Sequence, residues 1–222
     1  MILTSEILKN ICPDLDRSQL ISDAINKVIP LYKMDTSLTL THFIPNLLVE
    51  CQKFTRFEEG LNYQSVALMK LFSRERISMA QCVDYGRTGT HKANQQVIAN
   101  TIYGGEWGKR NLGNKAITDG YDFKGSGILQ CTGRDEHQQF INYYNRKFGT
   151  NFTLYDAALL LRNSNNLEIN LHFGCWFFTI YKNIIPLIVA DNFKEVVRKV
   201  NGGYNGLDER MVYYNRCKQF LV

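Results

Sequence analysis

Residues Leu40–Tyr63 read LTHFIPNLLVECQKFTRFEEGLNY. In the first half, Phe43, Leu47, Leu48 and Cys51 recur at helical spacing, which predicts a helix from about Leu40 to Gln52 with those side chains turned to a core. The second half loses that period and becomes polar. Glu50 closes the helical pattern, three residues after Leu47 and seven after Phe43, so it stands beside the apolar face. Two roles are open to it there. A partly buried carboxyl has its charged form disfavoured, which raises the pKa toward what a general acid needs. Alternatively it is a surface glutamate whose tip reaches water, and spacing alone favours that plainer role. Glu58 and Glu59 follow in the polar turn before Gly60. Neighbours point in different directions, so at most one of them faces Glu50. It is either a solvated carboxylate able to activate water or part of an ordinary turn.

Helical periodicity continues on both sides. Ile21, Ala24, Ile25, Val28 and Ile29 predict a helix capped by Ser18 or Asp16. Further helices are expected at Gln64–Phe72, Lys92–Tyr103, Asp135–Phe148, Leu154–Leu161, Glu168–Tyr181, Phe193–Val200 and Leu207–Phe220, with Thr153 and Asp191 or Asn192 as caps. Between Gly104 and Gly127 there are 7 glycines and no helical period, which predicts loops and a short hairpin. Trp107, Tyr121 and Phe123 in that stretch, with Tyr103 just before it, favour loops lining a cleft over a flexible tether.

The chain has 222 residues, is 45% hydrophobic and holds only 4 prolines, which suits one compact domain with a substantial core. No run of about 20 apolar residues is present, so no membrane insertion is expected. The start, MILTSEILKN, lacks a basic head followed by an apolar block, so synthesis in a cytoplasm without a secretory signal is expected. Six cysteines show no CxxC pair and are expected to be reduced thiols packed as small hydrophobes. Four histidines lie far apart without HExxH or a Cys/His cluster, so no metal is expected. His42 and His172 are expected to be packed or solvated. The net charge of +5 is mild and suits an anionic polymer.

Two more segments carry chemical potential. In Gly125–Arg134, GSGILQCTGR, Gln130 and Thr132 alternate with Leu129 and Cys131. If extended, the stretch presents an amide and a hydroxyl on one face, able to hold a sugar and position a water. No GxxxxGK[ST] and no GxGxxG opening a helix is present, which argues against a phosphate loop. In Val200–Arg210, VNGGYNGLDER, Asn201 and the glycines read as a turn between helices, with a binding role as the alternative. Two carboxylates at different points of one cleft are the minimum equipment for cutting a glycosidic bond.

Taken in order, these segments resemble glycoside hydrolase family 19, the chitinase-like family that includes phage endolysins. The family's glutamate-ending helix is here VEC at 49–51, and its FxRxxENLNY-like run is FTRFEEGLNY. Its GRGLIQLTGR is GSGILQCTGR, and its INGGxNGLxxR is VNGGYNGLDER. The stretch YGRTGTHKANQQVIANTIYGG also matches, and the likeness covers about Thr41 to Arg216. It implies a mainly α, lysozyme-like two-lobed helical domain with a central cleft, one catalytic domain over 1–222 with N-terminal helices 1–40 packed on the core 41–222. It implies an inverting glycosidase without cofactor. Glu50 matches the general acid, Glu59 the second carboxylate and Thr132 the residue that helps hold the attacking water. Gln130, Asn62, Tyr63, Tyr121 and Asn201 are the candidate sugar contacts. The implied substrate is peptidoglycan, with chitin oligomers as the alternative, and saccharide binding without catalysis as a third possibility. A monomer without nucleic-acid partners is expected, reaching the cell wall through another protein's pore or secretion machine. Four positions depart from the pattern: Val49 replaces a histidine, Cys51 a serine, Ser126 an arginine and Glu136 an asparagine.

Overall fold

The computed structural model describes residues 2–221. The helices in chain order are α1 (Ser5–Ile11), α2 (Ser18–Val28), α3 (Ser37–Glu50), α4 (Ser65–Leu71), α5 (Met79–Tyr85), α6 (Gln95–Ile102), α7 (Gly105–Leu112), α8 (Asp119–Asp122), α9 (Arg134–Phe148), α10 (Leu154–Arg162), α11 (Leu167–Trp176), α12 (Ile185–Val189), α13 (Phe193–Asn201) and α14 (Leu207–Phe220). A 3-10 turn, Ile29–Tyr32, extends α2, and a π turn, Phe177–Tyr181, extends α11. Among the described residues no sheet forms; extended pairing is limited to three isolated bridges. The mainly helical class expected from the periodicity is the class observed.

The chain forms two compact units. One takes Met1–Phe57, Gly127–Leu129 and Asn163–Val222; the other takes Glu58–Ser126 and Gln130–Arg162. In the first, α3 packs against α12, α13 and α14, α2 against α1 and α11, and α1 against α14. Residues Thr39 through Leu48 of α3 are all buried, so the helix is a core element sealed on every side. Phe43 meets Phe178 edge-on at 4.9 Å between centroids. Gly174 of α11 lies close by, where an added Cβ would stand 2.9 Å from Ile128 Cδ1 and 3.1 Å from Phe43 Cζ. In the second unit, Leu61, Leu68, Ile77, Cys82, Ile98, Ala99 and Ile102 form the core.

Helix α3 starts earlier than Leu40. Thr36 and Thr39 form a reciprocal capping box, with Thr36 Oγ1 accepting from Thr39 N at 3.1 Å and Thr39 Oγ1 from Thr36 N at 3.2 Å. The apolar pattern marks the first buried residue, whereas the helix begins at its cap. Thr153 and Asn192 cap α10 and α13 as expected, accepting from Asp156 N and Glu195 N. Helix α2 is different: Arg17, in the left-handed region, is its cap. Ser18 is instead the first helical residue and bonds Ser5 Oγ at 2.7 Å.

The glycine-rich stretch is loop at 113–118 and 123–127, with Ser126 bridging antiparallel to Cys131, but it also contains α7 and α8, which the absence of a helical period did not predict. Gly108 disguises α7 because it serves a close approach: an added Cβ would sit 1.9 Å from the Tyr103 carbonyl oxygen. Helices α1, α5 and α12 also escape the periodicity, being only 7, 7 and 5 residues long.

Beyond α3 the backbone turns left-handed for three residues, with φ of 48° at Gln52, 57° at Lys53 and 62° at Phe54. Each such L-residue costs about 1 kcal/mol. Hydrogen bonds offset that cost: Lys53 N donates to Leu48 O at 2.7 Å, and Thr55 N and Arg56 N both donate to Cys51 O. Lys53 also pairs with Asp14. The six cysteines are free and buried, and His42 and His172 are buried too. No helix among the described residues is long and apolar enough to cross a membrane.

Candidate functional site

Glu50 ends α3 in the first unit, with its side chain 16% exposed. Arg210, reaching from α14 and 2% exposed, donates Nη2 to Glu50 Oε1 at 2.5 Å and Nη1 to Asn46 Oδ1 at 2.8 Å. Asn46 in turn donates Nδ2 to His42 O at 2.8 Å. Asn46 and Glu50 stand four residues apart on one helix face, so a single guanidinium reaches both. The carboxyl is thereby held at a fixed angle with part of its surface open. Removing it leaves Arg210 charged and buried. Glu50→Ala is therefore expected to lower stability by about 2 kcal/mol, somewhat below the loss from breaking a fully buried pair, while Glu50→Gln keeps an acceptor for Arg210 and loses less. Urea unfolding of both variants checks this, and equal losses would contradict it.

Val49 and Cys51 flank this acid. Burial pushes the Cys51 thiol up to about 12, and its Sγ–H donates to Leu47 O at 3.0 Å. It is a packed thiol that adds no charge next to Glu50.

In the second unit, Glu59 is held by both carboxylate oxygens. Tyr103 Oη donates to Oε1 at 2.7 Å and Gly125 N donates to Oε2 at 3.1 Å, while Glu59 N returns a bond to Gly125 O at 2.8 Å. Burial and then the adjacent carboxylate keep the Tyr103 phenol protonated well above its ordinary range, so it acts as a donor. Behind it, the Arg76 guanidinium lies over Trp107 at 3.9 Å, Phe72 at 4.7 Å and Tyr103 at 5.3 Å, fixing the ring. Glu58 has other partners: Lys124, almost buried, at 2.9 Å and Arg162 at 3.8 Å. Of the two neighbours, Glu58 is occupied by ion pairing.

The Gly125–Arg134 segment is a closed loop. Ser126 N and Cys131 N each donate to the other's carbonyl, at 3.0 and 2.7 Å. Gln130 has φ of 54°, so the expected extended alternation with Thr132 does not occur; the residue turns the corner that closes the loop. Thr132 Oγ1 donates to Gln130 O at 2.8 Å, and Thr132 N donates to Glu136 Oε2 at 3.1 Å. Gly125 is required for space. An added Cβ would lie 2.8 Å from Gln130 Oε1, 3.1 Å from Glu59 Cβ and 3.3 Å from Glu59 Oε2. Gly125→Ala is expected to push Gln130 or the Glu59 carboxylate out of place and to lower stability by about 1–3 kcal/mol, the usual cost of overpacking, measured by urea unfolding. Unchanged stability would show that these side chains yield without cost.

Two of the departures acquire partners. Ser126 Oγ lies 2.8 Å from His137 Nε2, and His137 Nδ1 lies 2.8 Å from Gly133 O. A carbonyl can only accept, so Nδ1 carries the proton and Nε2 accepts from Ser126. Burial lowers the His137 pKa to about 4, in keeping with a neutral ring. Glu136 holds the Thr132 amide.

The remaining candidates are less drawn together. Asn62 is exposed. Tyr63 packs on the second unit's core and meets Phe72 edge-on at 5.6 Å. Tyr121 has Lys124 Nζ over its ring at 3.8 Å, so one face is covered. Asn201 ends α13, with Nδ2 3.5 Å from Asn205 O. The sequence alone gives Asn46, His137 and Arg210 no site role and sets Tyr103 only beside cleft-lining loops. The signal for the first was present: His42, Asn46 and Glu50 are polar residues at four-residue steps inside an apolar helix. Among the described residues no three His, Cys, Asp or Glu side chains are grouped to hold a metal ion.

No family model matches the chain. The chain is similar to a glycosyl hydrolase family 19 domain-containing protein of Haemophilus influenzae, 28% identical over 196 residues, which are 88% of this chain and 84% of that protein. The likeness supports a glycosidase-type activity at the level of the family, with a polysaccharide as ligand.

Proposed function

We propose that the protein hydrolyses β-1,4 glycosidic bonds of bacterial peptidoglycan with inversion. The observation that carries this is the mounting of Glu59. Tyr103 and Gly125 grip both of its oxygens, and the loop from Gly125 also bears Gln130 and Thr132. Because Thr132 Oγ1 commits its proton to Gln130 O, it faces a water as an acceptor. A water donating one proton to Thr132 and the other to Glu59 presents its lone pair outward, as the nucleophile of an inverting reaction must. Glu59 is the general base. Glu50 is the general acid that protonates the leaving oxygen, with Arg210 holding its orientation. The similarity to a family 19 domain-containing protein supports the same reaction class. The mild positive charge favours an anionic wall polymer over neutral chitin. Incubation with purified peptidoglycan, beside Glu50→Gln, tests the proposal. New reducing ends of the α anomer from the wild type, and their loss in the variant, are expected. No reducing ends from peptidoglycan overturns it, and release from chitin oligomers alone moves the substrate to chitin.

A further inference from the structure

In the second unit, a pocket of about 500 Å³ is lined by Gln64, Ser65, Val66, Arg87, Thr88 and Gly89. That volume suits a small ligand or a few residues of peptide. It is tied to the segment holding the candidate sugar contacts Asn62 and Tyr63: Arg87 N donates to Tyr63 O at 2.8 Å, and Ser65 N donates to Arg87 O at 3.2 Å. A glycan contacting Asn62 and Tyr63 would thus carry its substituents past this pocket.

The pocket's charge is uncompensated. No carboxylate lines it. Arg87 is exposed, as is Lys92 five residues on, and neither forms an ion pair among the described residues. Of the other polar side chains in the lining, Thr88 is engaged by Thr90 and His91, whereas Ser65 is unspent. Ser65 is only 9% exposed and its buried hydroxyl has no hydrogen-bond partner. Buried hydroxyls are rarely left so, and an unpaired guanidinium is the strongest side-chain donor to a carboxylate.

We infer that Arg87 and the Ser65 pocket bind a carboxylate of an acidic peptide attached to the glycan, making Arg87 a specificity-determining residue that separates peptide-bearing wall glycan from bare glycan. This rests on the proposed glycosidase activity for its biological setting, but the contact itself can be measured without turnover. Arg87→Gln changes one exposed side chain, so the fold is expected to hold.

Two measurements decide it. The first compares KM for peptidoglycan fragments with intact stem peptides and for the same glycan stripped of them. The wild type is expected to show a KM about tenfold lower on the peptide-bearing fragments, the worth of one guanidinium–carboxylate contact. Arg87→Gln should lose that preference while keeping wild-type turnover on the stripped glycan. Equal KM values in the wild type, or an unchanged preference in the variant, overturn the inference and leave the activity standing. The second is an NMR titration of the full chain with a free alanyl-glutamate dipeptide. Amide shifts at residues 64–66 and 87–89 that vanish in Arg87→Gln support the site, and their absence in the wild type overturns it. If neither glycan is cleaved, the proposed activity falls and the titration alone decides the site.

Discussion

Glu59→Gln is expected to lower kcat on peptidoglycan about a thousandfold while the protein stays folded. The substitution keeps the shape of the side chain and an oxygen for the Gly125 amide, and the Tyr103 hydroxyl can reverse to accept from the new amide group. What is lost is the ability to take a proton from water, worth about 10²–10⁴ in rate for a positioned general base. KM should change little, because Glu59 is assigned to the water and not to the sugar. Tyr103→Phe is the informative companion. It leaves the base in place but frees Oε1, so it should cost far less than Glu59→Gln and shift the pH–rate profile. A Glu59→Gln enzyme with near wild-type kcat would remove Glu59 from the chemistry and return it to the role of a polar turn.

The second large effect is on stability against acid. His137 is fully buried, and burial holds its pKa near 4, against 6.5 for a free histidine. Between those values the unfolded chain binds a proton that the folded chain refuses, so stability falls as pH falls. The contribution is complete above pH 6.5, and about 3 kcal/mol is gone by pH 4. At pH 5 the loss is about 2 kcal/mol relative to pH 7 from this residue. His42, lowered in the same direction by burial, adds to it. Carboxylates with lowered pKa act later. Asp191, held down to about 2 by the Tyr214 hydroxyl and then Lys218, loses its contribution only as pH drops below about 4. Urea unfolding at pH 7, 6 and 5 reads the effect, and a flat profile over that range would contradict the neutral Ser126–His137 pair. Because that pair braces the loop carrying Gln130 and Thr132, loss of activity in mild acid should accompany the loss of stability.

Much of this was legible in the sequence, for identifiable reasons. Long buried helices announce themselves by period, so α3, α9, α11 and α14 were placed to within a few residues. Caps with a side-chain oxygen, Thr153 and Asn192, were legible because their chemistry is local. Short helices are legible unevenly: α4, only 7 residues long, shows its period, whereas α5 has a capping box at Ser78 and Gln81 but no readable period, and α7 is masked by glycines that serve close packing. At the candidate site, Glu59 was chosen over Glu58 by resemblance, and the structure adds that Glu58 is engaged by Lys124. Arg210 stood in the VNGGYNGLDER segment without a role, because nothing local ties a residue on α14 to Asn46 and Glu50 on α3, more than 150 positions away. The condition on which Gln130 and Thr132 would share a face, an extended stretch, is not met, and an isolated left-handed residue leaves no trace in an apolar–polar alternation.

The discontinuous make-up of the first unit governs how the chain is born. Helices α1, α2 and α3 emerge from the ribosome early, yet beyond the α1–α2 pair their packing partners are α11 to α14. At ordinary synthesis rates of about 5–20 residues per second, roughly ten to forty seconds separate α1 from α14. For most of that time α3, buried along its length in the folded unit, lacks the helices it packs against. Its exposed Phe43, Leu47 and Leu48 make the nascent chain a natural client for chaperones and a hazard for aggregation when expressed quickly. The second unit, whose segments lie between those partners, has its residues in hand first and can condense while the first still waits.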